Sequence, residues 1–201
     1  MYFPLLGPWN WIEPKSRIIC NIINNLWNLE IAMARMKYVN TETADGRVKE
    51  LLGKLDHKNI FRMLAHSPTH FETYVRMGNA IRFKGELDPG LRELAITRAG
   101  ILCKSEYEVI AHKRIGKGIG LDDNKIDALE TGPASDAYSD LEKDVLKFTD
   151  EIVTSDNVSD DLFQRLQESL TPGALVELHL AVGFYIMTSK FLVTFGVDLQ
   201  N

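Results

Sequence analysis

Between positions 92 and 112 the chain gathers an acid in Arg92-Glu93-Leu94, a hydroxyl at Ser105, a second acid at Glu108 and an imidazole at His112. Glu108 and His112 are four residues apart, which on a helix places both side chains on one face about one turn from each other. A carboxylate beside an imidazole fixes one tautomer and raises its basicity, the arrangement that proton transfer near neutral pH requires. Glu93, Glu108 and His112 are therefore the candidate catalytic residues. The same letters also have a structural meaning. Ser105-x-x-Glu108 spells a capping box, in which the serine oxygen accepts the backbone N–H three residues on and the glutamate reaches back to the cap's own N–H. Spacing alone leaves both meanings open.

The segments that must position these residues read as helices. Asp88-Pro89-Gly90 supplies a cap and a proline at the first helical position, and Leu91, Leu94, Ala95, Arg98, Ala99 and Leu102 then mark one face of the helix carrying Glu93. Ser105 opens the next, which runs through Ile115 until Gly116, Gly118 and Gly120 weaken it. Upstream, Thr41 or Thr43 opens a helix with Val48, Leu51, Leu52 and Leu55. A second runs from Asn59 to His66, and a third carries Phe71, Tyr74, Val75, Gly78 and Ile81 up to Gly85. Downstream, a segment from Leu121-Asp122 ends at Gly132-Pro133, and 132–136 is the candidate exposed connection. Ser139-x-x-Glu142 is a second capping box, Ser159 caps a further helix, and Thr171-Pro172 starts the last, which reaches Phe195-Gly196. That final helix is apolar on nearly every side, so it is expected to be a buried central helix or an oligomer interface. No alternating stretch demands a strand, and the fold class is all-α.

At 201 residues the chain fits one domain, and a net charge of -5 argues against a nucleic-acid partner, which needs a clustered basic surface. Cys20 and Cys103 form neither a C-x-x-C pair nor part of a metal-ligand cluster, and point to free thiols in a reducing, cytoplasmic setting. No metal site and no cofactor are expected. His179, with Glu177 on the apolar last helix, reads as a satisfied buried histidine. Residues 1–33 form an N-terminal extension. Its first 14 residues hold Trp9, Trp11 and three prolines without the charge order of a signal peptide. From Ser16, Ile19, Ile22, Ile23, Leu26, Leu29 and Met33 recur at helical spacing, opposite a face of asparagines. This amphipathic helix lacks the lysines and arginines of a membrane-surface helix and is expected to dock on protein rather than on lipid.

The order Arg92-Glu93-Leu94, Tyr107-Glu108, His112, Gly120-Leu121 resembles the carboxymuconolactone decarboxylase family, the superfamily shared with AhpD-like thiol peroxidases. Residues 59–68 and the helix from Glu177 to Gly196 extend that resemblance, which gives a domain over 34–201. The resemblance implies an AhpD-like helical bundle that assembles into a dimer, trimer or hexamer and takes a small-molecule substrate. In the peroxidase branch two thiols separated by two residues do the chemistry, and aligning on Glu93 and His112 puts Ser105 and Glu108 at those positions. A hydroxyl and a carboxylate cannot run a dithiol cycle. The resemblance therefore favours a cofactor-independent acid–base enzyme that decarboxylates or isomerises a small carboxylated lactone or keto acid. In it Glu93, Glu108 and His112 are catalytic, and Tyr107, Ser105 and Arg98 are substrate-binding. Its alternatives are a thiol-dependent peroxide reductase working through Cys103, and a non-catalytic oligomeric binding protein.

Overall fold

The helix that carries Glu93 is also the one around which the others pack. The computed structural model describes residues 34–155 and 157–200; the amphipathic helix expected over 16–33, and Cys20 within it, lie outside the described residues. Among the described residues there are nine α-helices and no strand, in agreement with the all-α expectation. They are α1 Gly46–Lys54, α2 Asn59–Leu64, α3 Pro68–Phe83, α4 Pro89–Leu102, α5 Glu106–Gly118, α6 Asp123–Asp127, α7 Asp140–Thr154, α8 Asp160–Ser169 and α9 Pro172–Phe195, with a 3-10 turn Gly132–Ala134 before α7.

Several starts follow the chemistry of the sequence. The Asp88 carboxylate accepts the Leu91 N–H at 3.0 Å, and Pro89 occupies the first helical position, where a missing N–H costs nothing. Ser139 and Glu142 close a capping box on α7, and Thr171 caps α9 through the Ala174 N–H. The first helix starts later than expected: Asp45, not Thr41 or Thr43, caps α1, accepting the Val48 N–H at 2.9 Å. Gly196, at φ 60, ends α9 in the left-handed conformation that glycine adopts at least cost.

Every residue from Glu93 to Gly100 is buried, because α4 is packed on separate sides by α5, α7 and α9. A helix enclosed in this way shows no apolar stripe, and polar residues on it must find partners inside. The largest apolar cluster joins Leu91 and Ala95 of α4 to Val145 and Phe148 of α7, Leu162 and Leu166 of α8, and Leu175, Leu178 and Val182 of α9. Fully buried leucines such as Leu162, Leu166 and Leu178 contribute roughly 1.5–3 kcal/mol each relative to exposure. Of the two placements expected of the last helix, a central helix or an oligomer interface, the central one belongs to α4. By length and composition α9 could cross a bilayer, yet it buries Leu178, Ala181, Val182, Tyr185, Ser189 and Leu192. Its other side leaves Val176, Leu180 and Met187 between 41% and 59% exposed.

The turn between α4 and α5 determines where the acid–base residues meet. Lys104, at φ 57, takes the left-handed position, its N–H bonds to Ile101 O at 3.0 Å, and the Ser105 N–H bonds back to Gly100 O at 2.9 Å. This is a Schellman closure with lysine where glycine is usual, and it folds α5 back on α4 within a short link. The helices touch at Gly100: a Cβ there would come within 3.2 Å of the Glu108 Cβ. Glycine at this point lets Glu108 and His112 reach Glu93 across the contact.

Candidate functional site

Glu93 stands one turn into α4, and Glu108 and His112 stand on the face of α5 turned toward it; they are 0%, 3% and 4% exposed. The His112 Nδ1–H donates to Glu93 Oε2 at 2.6 Å. The other ring nitrogen, Nε2, faces Glu108 Oε2 at 3.2 Å. Arg92, on the side of α4 nearer solvent, donates through Nε to Glu93 Oε1 at 3.3 Å.

Counting donors constrains the proton. A neutral imidazole carries one N–H and one lone pair, and ionised carboxylates only accept. Both ring nitrogens face carboxylate oxygens, so the arrangement is satisfied in full when His112 is an imidazolium with two N–H donors. Burial opposes charge on His112, but the hydrogen bonds and charges of Glu108 and Glu93 outweigh it and raise its pKa above the ordinary 6.5. Burial likewise opposes ionisation of Glu93, while His112 and then Arg92 hold its carboxyl below the ordinary 4.5. The site is a buried imidazole between two carboxylates, both of which favour its protonated form.

Ser105 does not cap α5. Its hydroxyl makes no cap bond, is 2% exposed and has no hydrogen-bond partner among the described residues. The capping-box reading of Ser105-x-x-Glu108 is therefore corrected. The Ser105 N–H that Glu108 would have to reach is already bonded to Gly100 O in the Schellman closure, and Glu108 turns instead to the buried ring one turn along the helix. The same letters at Ser139 and Glu142 do close a box, because Glu142 has an exposed-side partner in Lys125 and remains free to reach Ser139 N–H at 2.8 Å.

Arg98 is placed differently from the substrate-binding role expected of it. Five residues after Glu93, it projects about 140° away around α4. Its guanidinium forks onto Asp150 at 2.6 and 2.9 Å and donates to the carbonyls of Leu129 and Glu130 at 2.8 and 3.0 Å. It joins α4 to α7 and the preceding loop. Tyr107 turns from His112 into the apolar cluster of Ile60, Met63, Leu192 and Val197, where burial pushes its phenol up to about 12. His179, expected to be buried, is exposed beside a cleft of about 720 Å³ that Phe148, Phe163, Leu175, Val176 and Leu180 also line. That cleft includes none of the acid–base residues.

Periodicity did not reveal one neighbour of the site. Tyr185 of α9 stands edge-on to His112, with ring centroids 4.6 Å apart and planes at 81°. Burial, then Glu108, keeps its phenol well above the ordinary range, so it remains neutral beside the imidazolium. Cys103 caps the end of α4 and is 3% exposed; burial pushes its thiol up, with Lys190 opposing. Among the described residues no cluster of three or more His, Cys, Asp or Glu side chains is arranged to hold a metal ion.

The sequence profile of the Carboxymuconolactone decarboxylase family matches residues 68–151, which span α3 to most of α7 and include Glu93, Glu108 and His112. No curated protein matches the chain by sequence. The fold is similar to that of an alkylhydroperoxidase AhpD-core, peroxidase-related protein from Ralstonia eutropha JMP134, with TM-score 0.76 and 18% identity over 84% of this chain and 93% of that one. It is also similar to a putative antioxidant defence protein AhpD from Agrobacterium tumefaciens, with TM-score 0.64 and 20% identity over 68% and 94% of the two chains. A third similar structure is the debrominase Bmp8 in complex with 2,3,4-tribromopyrrole, with TM-score 0.65 and 14% identity over 71% of this chain and 77% of that one. At these identities the likeness is one of fold, the AhpD-like helical bundle.

Proposed function

We propose, from the assignment of this chain to the carboxymuconolactone decarboxylase, AhpD-like family through residues 68–151, that it is a cofactor-independent acid–base enzyme with His112 as its proton donor. The substrate class is a small carboxylated lactone or keto acid, and the reaction is decarboxylation or the related isomerisation. One observation carries the reading: both nitrogens of a buried imidazole face carboxylates, at 2.6 and 3.2 Å.

The two carboxylates are not equivalent. Glu93 is fully buried, makes the shorter bond and is braced by Arg92, so it is the fixed partner that orients the ring. Glu108 faces Nε2 as an ion-pair partner at 3.2 Å without an aligned hydrogen bond, and that nitrogen is the one from which a proton leaves. Loss of carbon dioxide from a β-keto or vinylogous acid leaves the bond's electron pair on the substrate as an enolate. The imidazolium donates its Nε2 proton to the enolate carbon, and solvent restores it once product departs. A positioned acid of this kind contributes about 10²–10⁴ in rate.

The thiol-dependent reading has less support, because the buried, raised Cys103 thiol is the opposite of an activated thiolate. A cytoplasmic homo-oligomer is part of the same proposal. The apolar residues left open along α9 supply its contact surface, since exposed apolar runs of this kind mark association sites. The test is a screen of carboxylated lactones and β-keto acids for carbon dioxide release. Wild type and a Cys20→Ser/Cys103→Ser double variant are expected to turn over the same substrate, and His112→Gln to lose at least a hundredfold. A double variant that is dead beside a fully active His112→Gln would replace this reading with a thiol-based one.

A further inference from the structure

His112 is held by carboxylates from two helices, and its third contact comes from a third. Histidine χ2 is a broad, two-fold torsion, and carboxylate side chains yield easily, so the hydrogen bond to Glu93 and the ion-pair contact with Glu108 resist tipping of the ring only weakly. The Tyr185 ring meets the imidazole at 4.6 Å and 81°. That ring is itself fixed: it is 6% exposed and stands edge-on to Phe184 at 5.4 Å, and Phe184 in turn packs on Tyr74 at 4.6 Å. Tyr74 is tied back to α9 by a hydrogen bond with Thr188 of 2.7 Å. A rigid aromatic chain from α3 to α9 therefore ends against the one ring that stores the proton.

We propose that Tyr185 is the positioning residue of this site: its perpendicular ring holds the His112 plane so that both ring N–H groups stay on Glu93 and Glu108. For its functional meaning this rests on the acid–base reading above. The ring, and not the phenol oxygen, does the holding. A perpendicular aromatic pair is the favoured geometry, and a ring locked in it limits how far the imidazole can tip from its two carboxylates. The charged and titratable groups around the pair come from four helices: Arg92 and Glu93 on α4, Glu108 on α5, Tyr185 on α9, and Tyr74 and Arg82 of α3, which act on Tyr185.

The experiment is NMR of the full chain with 15N-labelled histidine, following the His112 ring protons and their titration in wild type, Tyr185→Phe and Tyr185→Leu, with Tyr185→Met replacing the leucine variant if that one does not fold. The phenylalanine variant is expected to match wild type in both ring N–H signals and in titration. The leucine variant is expected to lose at least one protected N–H signal and to titrate lower than wild type, because a ring free to tip loses part of the Glu93 and Glu108 contacts that raise its pKa. Wild-type titration in the leucine variant, even with a lower melting temperature, would reduce Tyr185 to packing and overturn the proposal. Equal losses in the phenylalanine and leucine variants would overturn it too, by assigning the effect to the hydroxyl. None of these signals depends on turnover. An active His112→Gln enzyme would therefore defeat the acid–base reading without touching this result, and an unmoved titration would defeat this inference without touching that reading.

Discussion

Glu93→Gln keeps the shape of the most deeply buried member of the site and removes its charge. The amide oxygen introduced there can still accept from His112 Nδ1–H, and Arg92 keeps a neutral neighbour. Hydrogen bonds to charged groups are worth roughly 1.5–3 kcal/mol each against about 1 kcal/mol for neutral ones. Glu93 accepts two, from His112 at 2.6 Å and Arg92 at 3.3 Å, so the variant is expected to lose about 1–4 kcal/mol. For a chain of this size that is a fall in melting temperature of roughly 5–10 °C near the middle of the range. The loss carries a pH signature. Glu93 has a lowered folded pKa, so its stabilisation is present above the ordinary 4.5 and fades as pH falls through the folded value. His112 has a raised folded pKa, so its stabilisation is complete below the ordinary 6.5 and fades as pH rises through the folded value. The gap between wild type and Glu93→Gln is therefore largest between about pH 4.5 and 6.5 and narrows on the alkaline side. Urea unfolding at pH 5.5 and pH 9 measures both gaps. A gap that is equal at the two pH values, or absent at pH 5.5, would refute the stored-proton argument.

Ser105→Ala removes a buried hydroxyl with no partner and is expected to leave stability unchanged or slightly higher, whereas Ser139→Ala breaks a formed capping box and costs about 1 kcal/mol; denaturant midpoints compare them directly. Gly132→Ala puts a Cβ 2.6 Å from the Arg98 Cζ at a residue with φ 70, and should cost about 2 kcal/mol or more in a thermal melt. Arg98→Met should lower the melting temperature and leave substrate KM unchanged, because that guanidinium is engaged by Asp150 and two carbonyls; a KM effect without a stability effect would return Arg98 to the site. Native Cys103 should react with a small alkylating reagent far more slowly than the unfolded chain, by mass spectrometry over time, since it is 3% exposed with a raised pKa.

The helical class and most helix starts were legible because they depend on local chemistry. Asp88, Ser139 and Thr171 each cap the helix their neighbours in sequence foretell. The meeting of Glu93 with His112 was legible for a related reason, since only a short link joins their helices. What local letters could not decide was competition between partners. Ser105-x-x-Glu108 and Ser139-x-x-Glu142 are the same motif, and what separates their outcomes is the Schellman bond that occupies the Ser105 N–H together with the buried imidazole opposite Glu108. Arg98 lay on the apolar-periodic face, yet its partner Asp150 is 52 residues away and invisible to periodicity. Tyr185 sits in the run Gly183-Phe184-Tyr185-Ile186-Met187, where an aromatic reads as core whatever it touches. The last helix, apolar all round, read as a central helix or an oligomer interface; its outer side is open, and the enclosed helix is the one whose polar residues hid its burial.

The central claim is that His112 rests as an imidazolium between two carboxylates, and the 15N chemical shifts of its ring at pH 7 read that state directly. Two protonated nitrogens, each coupled to its own hydrogen, with titration to the neutral form displaced above the ordinary 6.5, are the expected result. One protonated nitrogen and one bare one at pH 7 would mean that His112 is neutral in the folded protein, and the stored-proton account would be wrong.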